Sequence, residues 1–389
     1  MIWIISILSL IAVWLDFTAY KRIYSRGKWP KTVLTAALTD DLLPLISLAI
    51  MFAVSDNPRC LIMISSWIMW FYMATVPTRM VVLLFGIWSR RRIWRIIGGV
   101  AAAAMLLALI YGTAVTRTDY RIERVTLQYD NLPEAFDGYT VALISDLHVG
   151  AMISPLKECR RIVGIIDSLD ADLVVFCGDL INIRIEELTP EIREVLGSIA
   201  AHDGVVAVTG NHDTGVYIGD NARSPETETE RLISLEREMG WKLLDNETAW
   251  IRRGNDSISV SGISFLPDWH RQRHSDDIDG VKLDPIYTDV GIEDFNITLS
   301  HIPQLWSRII DTGKADLTLS GHIHAMQFKL PVGHRGISPA MLLYRRWSGL
   351  YSEQNACLYI NDGIGCVGIP ARIGACPEIT FFRLKHSKK

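Results

Sequence analysis

Four apolar runs, residues 1–20, 32–54, 61–88 and 96–115, fill the opening third of this 389-residue chain. As helices rising about 1.5 Å per residue, each is long enough to cross the roughly 30 Å of a bilayer's hydrocarbon. The expectation is therefore four transmembrane helices. Pro77 and Arg79 interrupt the third run, which reads as one kinked helix. The first run lacks a basic start and a small-residue cleavage site, so it is expected to stay attached.

Charge divides the chain in the same place. Residues 1–120 hold 12 of the 39 Lys and Arg, 5 of the 43 Asp and Glu, none of the 10 His and 7 of the 12 Trp. They carry +7, against −11 for residues 121–389. The basic loops after the first run (Lys21, Arg22, Arg26, Lys28, Lys31) and after the third (Arg90, Arg91, Arg92, Arg95) face the cytoplasm by the positive-inside rule, whereas the loop between runs two and three has only Arg59. An even number of spans then puts both termini, and the large C-terminal part, outside the cytoplasm. Asp16, Asp40, Asp41 and Arg79 lie in or near the spans and read as a packing ion-pair group or interface-level residues before a transport site. The domain reading is 1–116 transmembrane, 117–139 linker and first strand, and 140–389 a folded domain.

Beyond residue 120 the pattern becomes short apolar runs separated by turn residues and amphipathic stretches. "YTVALISD", "ADLVVFCGD" and "GVVAVTGNHD" read as buried strands, with "PLKECRRIVGIIDSL" and "PEIREVLGSIA" as helices between them. "SISVSGISF", "FNITLSHIP" and "ADLTLSGHIH" continue the strands, and "QLWSRIIDTG" reads as a helix. Alternation of this kind builds right-handed βαβ units that gather ligands beyond the carboxyl ends of the strands. Asp146, His148, Asp179, Asn211, His212, Asp213, His301, His322 and His324 all fall there. The six Cys form no metal-binding spacing. Cys159 and Cys177 read as small buried groups, and pairing among Cys357, Cys366 and Cys376 stays open.

Two Asp, one Asn and four His from five strand ends suit first-row divalent ions such as Mn, Fe or Zn; thiolate-rich and all-oxygen sites are excluded. Seven donors exceed the three protein ligands of a single catalytic zinc and fit two metals if one carboxylate bridges. Two cations about 3.5–4 Å apart bind phosphate oxygens and activate water for in-line attack at phosphorus. The spacing of His322 and His324 suggests an extended segment whose alternate side chains point one way.

"DLH", "GD", "GNHD", "SHIP" and "GHIH", in that order, resemble the five-block signature of the calcineurin-like metallophosphoesterases, over roughly residues 140–384. The closing "YINDGIGCVGIPARIGACPEITFFRL" resembles the family's membrane-tethered bacterial branch. The resemblance implies a four-layer α/β/β/α sandwich. It also implies that Asp146, His148 and His324 bind one metal, Asn211, His301 and His322 bind the second, and Asp179 bridges. His212 is similar to the family histidine beside the scissile phosphate, and Asp213 would orient its ring. The chain departs from the branch at Ala325 and Met326, where two glycines are usual, and at Ile323, where Thr is common.

The net charge of −11 repels phosphate esters and nucleic acid at long range, so a nucleic-acid reader is disfavoured and substrate recruitment falls to the metals and to local cations such as Arg271 and Arg273. His270 beside them reads as part of an exposed loop, with a substrate rim as the sharper alternative. Tethering favours a lipid-linked or envelope phosphate, cleaved at a diester or pyrophosphate bond. A cytoplasm-facing pyrophosphohydrolase of acylated nucleotide sugars, and a sensor with a relic domain, are the competing readings.

Overall fold

A computed structural model describes residues 2–21, 30–53, 58–88, 91–217, 225–272, 275, 278, 282–333 and 335–387. The basic stretch 22–29 and residues 90, 273 and 274 lie outside the described residues, Arg273 among them. The chain separates into two compact units, Met1–Val115 with Val367–Ile373, and Thr116–Cys366 with Gly374–Lys389.

The first unit is helical: α1 Ile2–Ala19, α2 Pro30–Asp41, α3 Leu43–Ala53, α4 Pro58–Trp88 and α5 Arg92–Ala114. Two stretches, Arg59–Gly86 and Arg92–Thr118, are long and apolar enough to cross a membrane, while the apolar stretch Ser9–Ala19 is shorter. The expected second span is two helices broken at Leu42. Pro44 has no N–H to offer the carbonyl of Asp40, and the Leu42 N–H turns back to the carbonyl of Thr39 at 3.2 Å. The third run is one helix with Pro77 inside it. Arg79 of α4 gathers Asp40 (2.7 Å), Asp41 (2.6 Å) and Asp16 (3.1 Å), so these four residues form the ion-pair group. The C-terminal segment 367–373 belongs to this unit, with Ala371 buried among Ala74 and Leu109.

The second unit holds two six-stranded sheets. In chain order the elements are β1 Arg121–Tyr129, β2 Thr140–Ile144, α6 Pro155–Asp167, β3 Leu173–Cys177, α7 Pro190–Gly197, β4 Val205–Val208, α8 Pro225–Glu238, β5 Lys242–Leu243, β6 Thr248–Arg253, β7 Asp256–Ile263, β8 Asn296–Ser300, α9 Trp306–Asp311, β9 Leu317–Ser320, β10 Gly349–Glu353, β11 Ala356–Ile360 and β12 Glu378–His386. The sheets run β1-β12-β2-β3-β4-β5 and β10-β11-β9-β8-β7-β6. Strands β2, β3, β4 and β5 are mutually parallel, as are β7, β8 and β9.

Side-chain alternation assigns the layers. Val141 and Leu143 of β2 join Val175, Val260, Leu299 and Leu319 in a core shared by both sheets, while Ala142 and Ile144 face Cys159, Ile162 and Ile166 of α6. Helices α6, α7 and α8 cover the outer face of the first sheet, and Ile309 and Ile310 of α9 pack on the second. The parallel strands are buried on both faces, which is why they read as continuous apolar runs. Pro155 opens α6, and its buried Cys159, Ile162, Val163 and Ile166 form one helical stripe. None of the six cysteines is in a disulfide.

Candidate metal centre

The loops that leave β2, β3, β4, β8 and β9 carry the nine singled-out residues, and they do so on a contorted backbone. Asp146, His148, Asp179, His322 and His324 take φ of 54°, 44°, 61°, 76° and 54°. A left-handed non-glycine residue costs about 1–2 kcal/mol, so five of them persist only because the surrounding sheets hold the loops in place. Glycines make room where backbone crowds the site. At Gly178 (φ 82°) a Cβ would lie 2.9 Å from His301 Nδ1, and at Gly363 (φ 72°) it would lie 2.9 Å from Asp146 Cβ and 3.0 Å from His324 Nδ1.

The side chains form two donor groups with one shared member. Asp146, His148, Asp179 and His324 offer atoms all within 4.8 Å of one another, as do Asp179, His301 and His322. His324 Nε2 stands 3.0 Å from Asp146 Oδ1 and 3.1 Å from His148 Nε2. Asp179 Oδ2 lies 3.5 Å from His148 Nε2 and 3.2 Å from His301 Nε2, the position a bridging oxygen needs. Asn211 Oδ1 approaches His301 Nε2 at 3.1 Å, which places the amide oxygen at the second group. His301 Nδ1 donates to the Cys177 carbonyl at 2.7 Å, which fixes the ring with its Nε2 pointing inward. Imidazole nitrogens converging on carboxylate and amide oxygens, nearly all buried, are donors for borderline divalent cations. The residues present fit two such ions.

His322 and His324 divide between the groups, but not by strand alternation. β9 stops at Ser320, and the left-handed backbone from His324 to Gln327 turns the chain sharply (Ala325 φ 47°, Met326 φ 48°). Ala325 and Met326 hold this conformation without glycine.

His212 and Asp213 differ from expectation in one respect. Asp213 does not bond the His212 ring. Its Oδ2 accepts the N–H groups of Asp179 (2.7 Å) and Gly210 (2.8 Å), and its Oδ1 accepts those of Leu180 (2.9 Å) and Ile181 (3.2 Å). The carboxylate ties the β3 and β4 loops together because four N–H groups there have no strand partner. The His212 ring is instead held by Nδ1–H donating to the Asn182 carbonyl at 2.6 Å, and its backbone N–H donates to Asp179 Oδ1 at 2.8 Å. Tyr217 stacks on that ring, centroids 4.3 Å apart, and accepts from Asn211 Nδ2 at 2.9 Å. Nothing in the sequence marks Tyr217, since a lone Tyr in a turn carries no pattern. His270 meets Tyr217 edge-on at 4.9 Å, so it borders the site through that ring.

Burial penalises charge on His148, which it holds well below the usual histidine range, and lowers His212 too, favouring in both the neutral form whose nitrogen lone pair can bind a cation or a proton. Burial opposes ionisation of Asp146 and Asp179 too, but His324 and His301 outweigh it and keep both carboxyls below the usual range. For His301 burial works against the charge, yet the Asp179 carboxylate prevails and raises it to about 9. Asp213 is pushed up to about 7 by burial, then by Asp179.

Comparison with known proteins agrees with this arrangement. The family described as "Calcineurin-like phosphoesterase" matches residues 139–326. A "Transmembrane protein with metallophosphoesterase domain" from Danio rerio is 29% identical over 284 residues, covering 72% of this chain and 60% of the relative. The "Uncharacterized metallophosphoesterase YkuE" of Bacillus subtilis is 28% identical, covering 77% and 98%. The "UDP-2,3-diacylglucosamine pyrophosphatase LpxG" of Chlamydia trachomatis is 27% identical, covering 67% and 88%. The chain thus spans less than two thirds of the zebrafish protein and most of the two bacterial ones.

Proposed function

As the chain belongs to the calcineurin-like metallophosphoesterases, we propose that it is a metal-dependent phosphoric ester hydrolase that cleaves a diester or pyrophosphate bond in a lipid-linked or cell-envelope substrate outside the cytoplasm. The observation that carries the reading is Asp179 Oδ2 lying between two donor groups, beside the half-buried His212 ring. Two divalent cations bound there would supply Lewis acidity toward phosphoryl oxygens and a nucleophile from water at neutral pH. The protein's own part is to place groups around that chemistry. Tying Nδ1–H of His212 to Asn182 leaves Nε2 as the exchangeable nitrogen, fit to hold a proton for the departing oxygen. Tyr217 stacks against that ring, and Asp213 fixes the Asp179 loop through four backbone N–H groups.

Two further observations support the membrane setting. α4 and α5 are long and apolar enough to span, and the short stretch of sequence between them holds Arg90 and Arg91, with Arg92 opening α5. With that stretch in the cytoplasm, the chain after α5 lies on the opposite side whatever α1 to α3 do. The LpxG relative, a pyrophosphatase of a diacylated nucleotide sugar by its name, favours a second reading, pyrophosphate cleavage of such a sugar, which we pair with a cytoplasm-facing domain. A compartment-sensitive reporter fused after Lys389 separates the two. Substrate is tested by incubating membrane lipid and envelope extracts with wild type and Asp179→Asn. Mass spectrometry should show phosphorus-containing species consumed only by wild type; identical profiles would reject the proposal.

A further inference from the structure

Nine large hydrophobic side chains are exposed among the described residues after Val115, and six of them crowd into fourteen positions: Leu330, Val332, Ile337, Met341, Leu342 and Leu343. Leu342 is 87% exposed, Val332 55% and Met341 50%. Such clustering on a water-facing surface is costly unless something covers it.

The segment is built, not frayed. Leu330 and Ile337 exchange backbone hydrogen bonds of 2.8 and 2.9 Å across a short antiparallel bridge. Ser338 accepts the Ala340 N–H at 3.1 Å and donates to the Ala325 carbonyl at 2.6 Å, anchoring the turn Pro339–Leu342. Ala340 packs inward with Ile323, Ala325 and Trp347, so the residues after it are left outward. Tyr344, next along, faces the His322 ring with centroids 6.5 Å apart, which puts the patch on the rim of the metal centre.

Charge selects the occupant. Residues 317–352 contain Lys329, Arg335, Arg345 and Arg346 and no Asp or Glu, within a part of the chain that carries −11. Lys329 pairs with Asp362 and Arg346 with Glu353. Arg335 and Arg345 are exposed and have no carboxylate partner among the described residues. Arg335 lies over the Tyr351 ring at 4.0 Å, the layout of a cation poised at headgroup level above apolar neighbours. Aliphatic tips flanked by unneutralised arginines match an anionic bilayer surface, whose acyl boundary takes the one and whose phosphates take the other.

We propose that residues 330–333 and 335–337, bridged at Leu330 and Ile337, and the turn 339–343 form a membrane-docking surface that dips into an anionic lipid leaflet and holds the rim of the metal centre at the bilayer. The docking does not depend on catalysis, so it stands or falls separately from the hydrolase reading.

The test uses the full chain reconstituted in vesicles of phosphatidylcholine, with or without phosphatidylglycerol, doped with a phospholipid carrying a diazirine high on its acyl chain. After irradiation, peptides are mapped by mass spectrometry. Lipid adducts are expected within 328–346 as well as in α4 and α5, and more of them with phosphatidylglycerol. Leu342→Asp should cut the 328–346 adducts about tenfold, the equivalent of losing one buried Leu, with the unfolding temperature unchanged. Arg335→Gln with Arg345→Gln should abolish the phosphatidylglycerol dependence alone. Adducts confined to the helices, adducts indifferent to Leu342→Asp, or crosslinks joining 328–346 to a second copy of the chain would each overturn the proposal.

Discussion

Asp213→Asn is the most informative single change, because it is isosteric and yet incompatible with what the carboxylate does. Both oxygens are fully committed, Oδ2 to the N–H groups of Asp179 and Gly210 and Oδ1 to those of Leu180 and Ile181. Whichever way the amide is turned, its NH2 faces two N–H donors. Above about pH 7, where Asp213 is ionised, hydrogen bonds to its charged oxygens contribute about 1.5–3 kcal/mol each, so at pH 8 losing two of them and opposing donor to donor costs about 4 kcal/mol. At about 2–4 °C per kcal/mol for a domain of this size, the unfolding temperature in detergent should fall by about 10 °C. The Asp179 loop loosens with it, so metal content measured by elemental analysis should fall below the wild-type level. The reasoning is refuted if Asp213→Asn keeps its full metal complement and its unfolding temperature while turnover alone collapses. Asp213 would then act on the His212 ring after all.

Other consequences are simpler to read. Asp179→Asn removes charge from the oxygen shared by both donor groups and should strip metal and abolish hydrolysis of aryl phosphodiesters; retained metal with retained activity would deny the bridging position. His212→Ala should lower turnover by about 10²–10⁴-fold at unchanged metal content, since its ring belongs to neither donor group; metal loss would reassign it as a ligand. Glu378 is buried, and burial raises its carboxyl to about 7. A raised acid favours the fold in its protonated form, so this stability is present below the ordinary value of 4.5 and is lost as pH rises through about 7. The Tyr359, Thr380 and Asn361 donors all meet Oε1, which an amide oxygen can replace. Glu378→Gln should therefore flatten the fall in unfolding temperature between pH 4.5 and 7 and leave the variant more stable, by about 3 kcal/mol, above it; an unchanged pH profile would rule this out.

The candidate site was legible to the extent that side-chain chemistry and strand ends are local properties. Asp146, Asp179, Asn211 and His301 each follow a short apolar run, and runs buried on both faces are visible without knowing what covers them. The tie from Asp213 to four backbone N–H groups was not legible, because those groups come from loops about thirty residues apart that only the sheet brings together. Tyr217, only five residues beyond the His212 ring it stacks on, was hidden because a lone Tyr in a turn carries no pattern. The break at Leu42 was signalled by Pro44, but the apolar run around it masked the signal.

Taken alone, the order of residues determined that an apolar, tryptophan-rich part precedes an acidic one, that β-strands alternate with helices, and that oxygen and imidazole donors gather at strand ends. These follow from composition and periodicity, which act over a few residues at a time. Only tertiary structure decided that β12 lies between β1 and β2, parallel to the first and antiparallel to the second. It likewise sent His322 and His324 to different donor groups through left-handed backbone, and left six aliphatic side chains uncovered beside them. Pairings between distant segments set these features, and their energies depend on which surfaces meet, a quantity no local stretch of sequence contains.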